Sequence, residues 1–168
     1  QEPATIQQIE DKYSLRVLKN NNEFTAGKYY NFGKPKSEGF HDAKLMVFKN
    51  DTLIYSIKNL AIDYCWINNN LIYLATDSFS VSHLGAPSTE IGIFYSDSLT
   101  HEQLIDLRKQ ESYINKVNYA QFNDKVYLRN FVFGGTEVFQ LDIKNKQLIP
   151  TNYKGLNFSP NGKYYTNF

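Results

Sequence analysis

The sequence predicts a mainly β fold built from antiparallel hairpins, and three observations support it. An apolar run, a polar turn and a second apolar run containing tyrosine recur at residues 64–74, 119–128 and 155–168. Asn161-Gly162 is a strong signal for a two-residue hairpin turn. Thirteen Tyr and twelve Phe make the chain rich in residues that favour strands. Its 168 residues fit a single β domain, residues 1–168.

The N-terminal third begins with a polar segment, residues 1–12, in which residues 5–9 could form a short edge strand. Residues 13–25 resemble a degenerate first hairpin with its turn near Asn21. Residues 33–42 contain two Gly and a Pro, which predicts a surface loop.

The middle of the chain gives the clearest strand patterns. Residues 44–57 predict a second type of hairpin, centred on Asn50-Asp51, whose returning strand alternates between apolar and polar residues. Residues 71–75 are apolar without alternation, which is typical of a strand covered on both faces. Residues 76–90 predict a connection longer than most in a compact domain.

Residues 101–110 predict one short helix. Thr100 and Gln103 are spaced as a capping box, and Leu99 and Leu104 as a hydrophobic staple. Glu102 lies early in the segment, while Arg108 and Lys109 lie late, which is the charge order that a helix dipole favours. These local signals conflict with the hairpin repeat, which would place a strand here.

The spacing of the predicted turns defines the repeat. One set of turns lies near Asn50, Ser98 and Asn145, at intervals of 48 and 47 residues. A second set lies near residues 21, 69, 124 and 161, at intervals of 48, 55 and 37 residues. A unit of four antiparallel strands needs about 40 to 50 residues, which these intervals bracket.

Two segments resemble β-propeller repeats. The segment Phe-Ser-Pro-Asn-Gly-Lys-Tyr at residues 158–164 is similar to a turn of WD-repeat and Tol-system propellers, and residues 139–148 resemble the outer hairpin of their blades. The resemblance implies a small or incomplete propeller-like fold, because four hairpins of one type accompany at most three of the other. A twisted antiparallel sheet and a β-sandwich are the alternatives.

Charge and composition constrain the possible partners. A formal net charge of +1 provides no long-range field toward nucleic acid, and we expect no nucleic-acid partner. Cys65 is the single cysteine, so no intramolecular disulfide can form, and we expect it to be a small buried residue. No apolar run is long enough for a transmembrane helix. The polar start at Gln1 suggests an exported protein, periplasmic or extracellular, with its signal peptide removed.

We expect neither a cofactor, a metal site nor a catalytic site. His41, His83 and His101 are far apart in sequence, and neither a nucleophile elbow nor a phosphate-binding loop is present. Residues 95–100 faintly resemble the Asp-box of sialidase-like propellers but lack its glycine and tryptophan. Arg16, Arg108 and Arg129 are expected to be ordinary surface and packing residues.

Aromatic residues provide the candidate site. Tyrosine is enriched in recognition surfaces, and the chain has more aromatic side chains than a small core can hide. The predicted protein-binding residues are Tyr29, Tyr30, Phe32, Phe40, His41, His83, Tyr164 and Tyr165.

These observations favour a non-catalytic, exported module that acts by protein–protein recognition, for example an inhibitor or an immunity protein against a secreted toxin enzyme. One alternative is a carbohydrate-binding or glycoside-processing propeller relative, in which Trp66, tyrosines and carboxylates would converge on a pocket. A second alternative is a fragment of a larger cell-surface propeller.

Overall fold

The computed structural model describes residues 3–10, 14–19, 23–30, 44–76, 88–109 and 112–166. These residues form a mainly β, antiparallel structure with one short helix, which confirms the predicted fold class. The elements in chain order are α1 (Ile6–Glu10), β1 (Ser14–Lys19), β2 (Phe24–Tyr30), β3 (Lys44–Lys49), β4 (Thr52–Ile67), β5 (Asn70–Thr76), β6 (Glu90–Tyr95), β7 (Thr100–Asp106), β8 (Ile114–Ala120), β9 (Lys125–Val132), β10 (Gly135–Asp142), β11 (Gln147–Pro150), β12 (Asn157–Phe158) and β13 (Tyr165–Thr166).

The strands form a seven-stranded, a four-stranded and a two-stranded sheet, and within each sheet consecutive strands pair with one another. The long strand β4 divides the largest sheet, because residues 52–60 pair with β3 and residues 60–67 pair with β5. We therefore distinguish a first unit (β1, β2, β3 and residues 52–60), a second unit (residues 60–67, β5, β6 and β7), a third unit (β8 to β11) and a closing hairpin (β12 and β13).

Turn chemistry explains where the hairpins reverse. Asn50 and Asp51 both have positive φ, at 48° and 65°, as a tight turn matching the strand twist requires. Asp124 and Gly162 also have positive φ at predicted turns. Asn, Asp and Gly tolerate this left-handed region better than other residues. The predicted turn at Asn21 lies outside the described residues, although β1 and β2 pair on either side of it.

The units pack face to face, and each interface has its own apolar core. Strand β5 contributes to two of them: Leu71 and Tyr73 face the first unit, whereas Ile72 and Leu74 face the third. All four side chains are at most 1% exposed. The expectation that residues 71–75 are covered on both faces is therefore confirmed.

The two ends of this stack are covered differently. Ile9 of α1 packs on Met46 and Phe48, on the face of the first unit that points away from the second. The closing hairpin and the segment before it pack on the third unit through Leu156 and Phe158. The layered core thus extends along the chain order from the N-terminal helix to the closing hairpin.

The predicted helix at residues 101–110 is wrong for the residues that the structure describes. Residues 100–106 form β7, which pairs with β6 from Tyr95↔Thr100 to Glu90↔Asp106. Leu99 has a φ of 55° in the preceding turn and is 45% exposed, so it cannot act as a staple to Leu104, which is buried. The cross-strand ladder and the burial of Leu104 outweigh local capping preferences that span only a few residues.

The edge strand suggested at residues 5–9 is also replaced. Thr5 forms a single bridge with Thr52, but the chain then turns into α1. Thr5 and Gln8 form a reciprocal cap: the backbone N–H of Gln8 donates to Thr5 Oγ1 at 3.2 Å, and that of Thr5 donates to Gln8 Oε1 at 2.9 Å. The loop predicted at residues 33–42 lies outside the described residues, as do residues 77–87 of the connection after β5.

Candidate functional site

The structure describes the side chains of two predicted binding residues, Tyr164 and Tyr165, and both lie in the closing hairpin. Tyr29 and Tyr30 lie in β2, where the backbone pairing is defined and the side chains are not described. The remaining predictions fall outside the described residues: Phe32, Phe40, His41 and His83.

Short-range hydrogen bonds hold the closing hairpin in shape. The backbone N–H of Ser159 donates to the carbonyl of Tyr164 at 2.8 Å, and the N–H of Tyr164 donates to Ser159 Oγ at 3.1 Å. Asn161 Oδ1 accepts from Ser159 Oγ and from the N–H of Lys163. Asn and Ser side chains stabilise turns in this way. The sequence Ser-Pro-Asn-Gly-Lys therefore fixes the direction in which the tyrosines leave the turn.

Gly162 fixes the hairpin against the third unit. Its φ is 72°, and a Cβ placed there would lie 2.4 Å from the ring of Phe122. Glycine is required both for the left-handed backbone and for this close approach. The turn therefore rests directly on the turn between β8 and β9.

An aromatic cluster connects the buried core to the surface of the hairpin. Tyr127, 2% exposed, lies at its base, with its ring centroid 5.6 Å from that of Tyr153 and 5.0 Å from that of Phe158. Tyr153 and Phe158 contact each other at 4.9 Å in an edge-to-face arrangement. Tyr165 extends the cluster outward, at 5.3 Å from Tyr153. Such edge-to-face pairs add stability beyond the area that they bury.

Exposure increases toward the outside of this cluster. Tyr153 and Phe158 are half-buried, Tyr165 is 38% exposed and Tyr164 is 73% exposed. We call these four residues, Tyr153, Phe158, Tyr164 and Tyr165, the terminal aromatic surface. A rigid buried base with accessible tyrosines above it is typical of binding hot spots, because such anchors lose little conformational entropy on binding.

The segment that contains the terminal aromatic surface carries charge of one sign. Residues 151–166 contain two charged side chains, Lys154 and Lys163, and both are exposed. A cavity of about 230 Å³ borders the cluster, between residues 118–122 and 158–160. The segment therefore combines exposed aromatic residues with two positive charges.

One exposed aromatic residue, on the third unit, was not predicted from the sequence. Phe133, at the turn between β9 and β10, is 94% exposed and lines a cavity of about 480 Å³ with Glu137 and Lys154. The sequence contained a signal for its exposure: Phe133 directly precedes Gly134-Gly135, which predicts a turn, and side chains in turns lie at the surface. Phe158 was also not among the predicted binding residues.

The longer connections join strand ends on one side of the sheet. Lys44 lies opposite Leu60, and Leu60 lies opposite Thr76. The strand ends that precede and follow residues 31–43 and 77–87 therefore lie at the same side of the sheet. Hydrogen bonds link the second and third units at this side, since the N–H of Ser88 donates to the carbonyl of Ser112 at 3.0 Å.

Other side chains that could take part in chemistry are buried or hydrogen-bonded within the fold. Burial, together with the nearby Asp63, raises the pKa of the Cys65 thiol, so the nucleophilic thiolate is disfavoured. Burial, with the charge of Glu90, also raises the pKa of Tyr73, whose hydroxyl donates to Glu90 at 3.2 Å. Among the described residues, no three His, Cys, Asp or Glu side chains converge as a metal site.

The described arginines and His101 also have structural partners. Arg108 donates two side-chain hydrogen bonds to Asp106 and lowers the pKa of that carboxyl to about 2. Arg129 is 9% exposed and its guanidinium lies 5.0 Å from the centre of the Phe131 ring. His101 Nδ1 lies 2.8 Å from the Tyr55 hydroxyl.

Comparison with known proteins returned no relative: no protein-family model and no curated sequence matches the chain. No helix among the described residues has both the length and the apolar character needed to cross a membrane.

Proposed function

We propose that this chain is a non-catalytic module that recognises a protein partner through the terminal aromatic surface. The observation that supports it is the gradient of exposure across one aromatic cluster, from Tyr127 at 2% to Tyr165 at 38%, with Tyr164, 73% exposed, next to Tyr165 in the chain. Tyrosine offers a large contact area together with a hydroxyl that can donate or accept a hydrogen bond. An exposed group of such residues is typical of protein interfaces.

The carbohydrate-binding alternative has less support. It requires Trp66 to line a pocket together with tyrosines and carboxylates. Trp66 is 8% exposed and packs in the core between the first and second units, with its ring centroid 6.4 Å from that of Phe24. Its indole is therefore used for packing.

The propeller-like arrangement is part of the same proposal. The three units each contain four strands in antiparallel order, and the closing hairpin supplies two more. This organisation supports an incomplete propeller, either as a whole module or as a fragment of a larger cell-surface propeller. A stack of twisted sheets in a sandwich-like arrangement accounts for the same pairing.

An exported location, with a role as an inhibitor or immunity protein, completes the proposal. The buried Cys65 is compatible with it, because a thiol at 7% exposure with a raised pKa is protected from oxidation. The small net charge of +1 leaves partner choice to local contacts such as the terminal aromatic surface.

The proposal is tested by capture of the partner on immobilised protein and by titration calorimetry with the partner so identified. We expect Tyr164→Ser to weaken binding by about 30-fold or more, the loss of a hot-spot residue. The Tyr164 ring does not contact the other rings of the aromatic cluster, so its loss should leave the unfolding temperature of the protein unchanged.

The matched control is Phe133→Ser, which removes an aromatic side chain with 94% exposure from a different surface. It should leave partner affinity unchanged. Equal capture by both variants and the parent protein would exclude the terminal aromatic surface, and loss only in Phe133→Ser would move the interface to the third unit.

A further inference from the structure

The closing hairpin has a strand edge whose equivalent in each of the three units is covered by a third strand. In the three units, the second strand lies between two neighbours: β2 between β1 and β3, β5 between β4 and β6, and β9 between β8 and β10. Strand β13 holds the same position in the closing hairpin, and it pairs with β12 alone among the described residues. The repeat thus defines a position beside β13 that an antiparallel strand fills three times elsewhere in this chain.

The hydrogen-bond pattern shows which backbone groups face that position. The N–H of Ser159 donates to the carbonyl of Tyr164, so these two residues form a hydrogen-bonded pair. Phe158 and Tyr165 are the next pair, and such pairs alternate with non-hydrogen-bonded ones in an antiparallel ladder. The N–H and C=O of Tyr165 therefore point away from β12, toward the open edge.

We propose that an extended segment of the protein partner pairs with β13 and supplies the third strand of the closing unit. This inference rests on the proposed function and specifies how the partner binds. Addition of a strand to a sheet edge takes its affinity from main-chain hydrogen bonds and its specificity from alternate side chains. The Tyr165 backbone provides the first of these, and its ring, beside Tyr153 and Phe158, provides the second.

The equivalent strands of this chain and the local charge indicate the chemistry of the partner segment. Strands β3 and β6 occupy the equivalent position with apolar side chains such as Leu45 and Ile93, which are buried against neighbouring units. The partner segment should therefore carry alternating apolar residues that cover the terminal aromatic surface. Lys154 and Lys163 are the charged residues of residues 151–166, so carboxylates in that segment would be favoured.

A peptide from the chain itself provides the probe. Strand β10, Gly135–Asp142, is the third strand of the third unit and contains apolar residues together with Glu137 and Asp142. A peptide of these eight residues, acetylated and amidated at its ends, is titrated into the full chain to about 2 mM. This is comparable to the effective concentration that a short linker gives to a tethered segment. The readout is hydrogen exchange of the Tyr165 amide by NMR. We expect this exchange to slow by at least 10-fold at saturation.

Two N-methylated versions of the peptide serve as matched controls, one methylated at residues 136, 138 and 140 and the other at residues 137, 139 and 141. A strand directs alternate N–H groups to opposite edges, so only one of these peptides should lose binding. Equal binding by both, or an unprotected Tyr165 amide with the unmodified peptide at 2 mM, would overturn the inference.

Self-association is the remaining outcome. If light scattering shows a dimer that Tyr165→Pro converts to a monomer, a second copy occupies the edge and the partner-strand proposal is wrong. The proposed function fails separately, because it requires Tyr164→Ser to weaken partner capture whether or not β13 accepts a strand.

Discussion

The second unit and the closing hairpin share one sequence pattern, but the structure uses them differently. In the second unit, β5 follows a turn at residues 68–69 and is buried along Leu71–Ala75. In the closing hairpin, β13 follows a turn at residues 160–162. Its Tyr165 is 38% exposed, and Tyr164, directly before the strand, is 73% exposed. The first has a unit packed on each face, whereas the second is covered by the third unit on one side. Burial in this fold is therefore decided by the neighbouring unit rather than by the hairpin itself.

The largest loss in the free energy of unfolding should come from removing a ring in the buried interface between the first and second units. Phe94 is fully buried, and its ring stacks on Tyr55 with centroids 4.7 Å apart. Phe94→Ala leaves a cavity between the first and second units and should lower the free energy of unfolding by about 3–5 kcal/mol. Urea denaturation followed by tyrosine fluorescence measures the loss.

The matched variant is Phe133→Ala, because it removes the same atoms from a side chain that is 94% exposed. A change within about 0.5 kcal/mol is expected at such a surface position. Comparable losses in the two variants would contradict the layered arrangement of the units.

A smaller effect is expected where the backbone and a ring are in close contact. A Cβ at Gly92 would lie 2.2 Å from the ring of Tyr73, which is 1% exposed and hydrogen-bonded to Glu90. Gly92→Ala should therefore cost about 1–3 kcal/mol through overpacking. Gly135→Ala is the control, since no atom lies within 4 Å of a Cβ there.

The cause of that loss can be checked by a double-mutant cycle. Tyr73→Leu removes the part of the ring that the new methyl group would meet, so the double variant should be more stable than the sum of the two single losses implies. Strict additivity would show that Gly92 is required for a reason other than the contact with Tyr73.

The contrast also shows which features could be predicted from sequence. Asn50-Asp51 and Asn161-Gly162 encode their turns locally, because these residue types tolerate positive φ, and both turns were predicted. The continuous apolar run at residues 71–75 predicted coverage on both faces. The turn signals depend on a few adjacent residues, whereas the apolar run is covered because a unit packs on each of its faces.

Features that depend on distant neighbours were predicted less well. Residues 100–106 contain helix-start signals, but β6 lies alongside and Leu104 is buried against the third unit, so a strand forms. Tyr164 and Tyr165 were predicted as binding residues from their type. Phe133 and Phe158 were not, because their exposure is set by how the third unit and the closing hairpin pack.

The smallest effect should come from an ion pair at the boundary of two units. Lys146 Nζ lies 2.5 Å from Glu102 Oε1 and joins the third unit to β7 of the second. The hydrogen bond and charge of Lys146 lower the pKa of Glu102 from its ordinary value, and those of Glu102 raise the pKa of Lys146 from its ordinary value. The contribution of Glu102 to stability is therefore lost as pH falls through its lowered pKa, and that of Lys146 as pH rises through its raised pKa.

Both residues are exposed enough for salt to screen the pair, so the coupling should be smaller than either packing effect. A double-mutant cycle with Glu102→Gln and Lys146→Gln, followed by thermal unfolding at pH 7, should give a favourable coupling at low salt. At 1 M NaCl, where the screening length of about 3 Å is close to the separation of the two groups, the coupling should become smaller. It should also be lost as pH falls through the lowered pKa of Glu102, because the carboxyl is then protonated. A coupling that is unchanged at high salt and at low pH would mean that packing of the side chains, and not their charges, holds the two units together at this boundary.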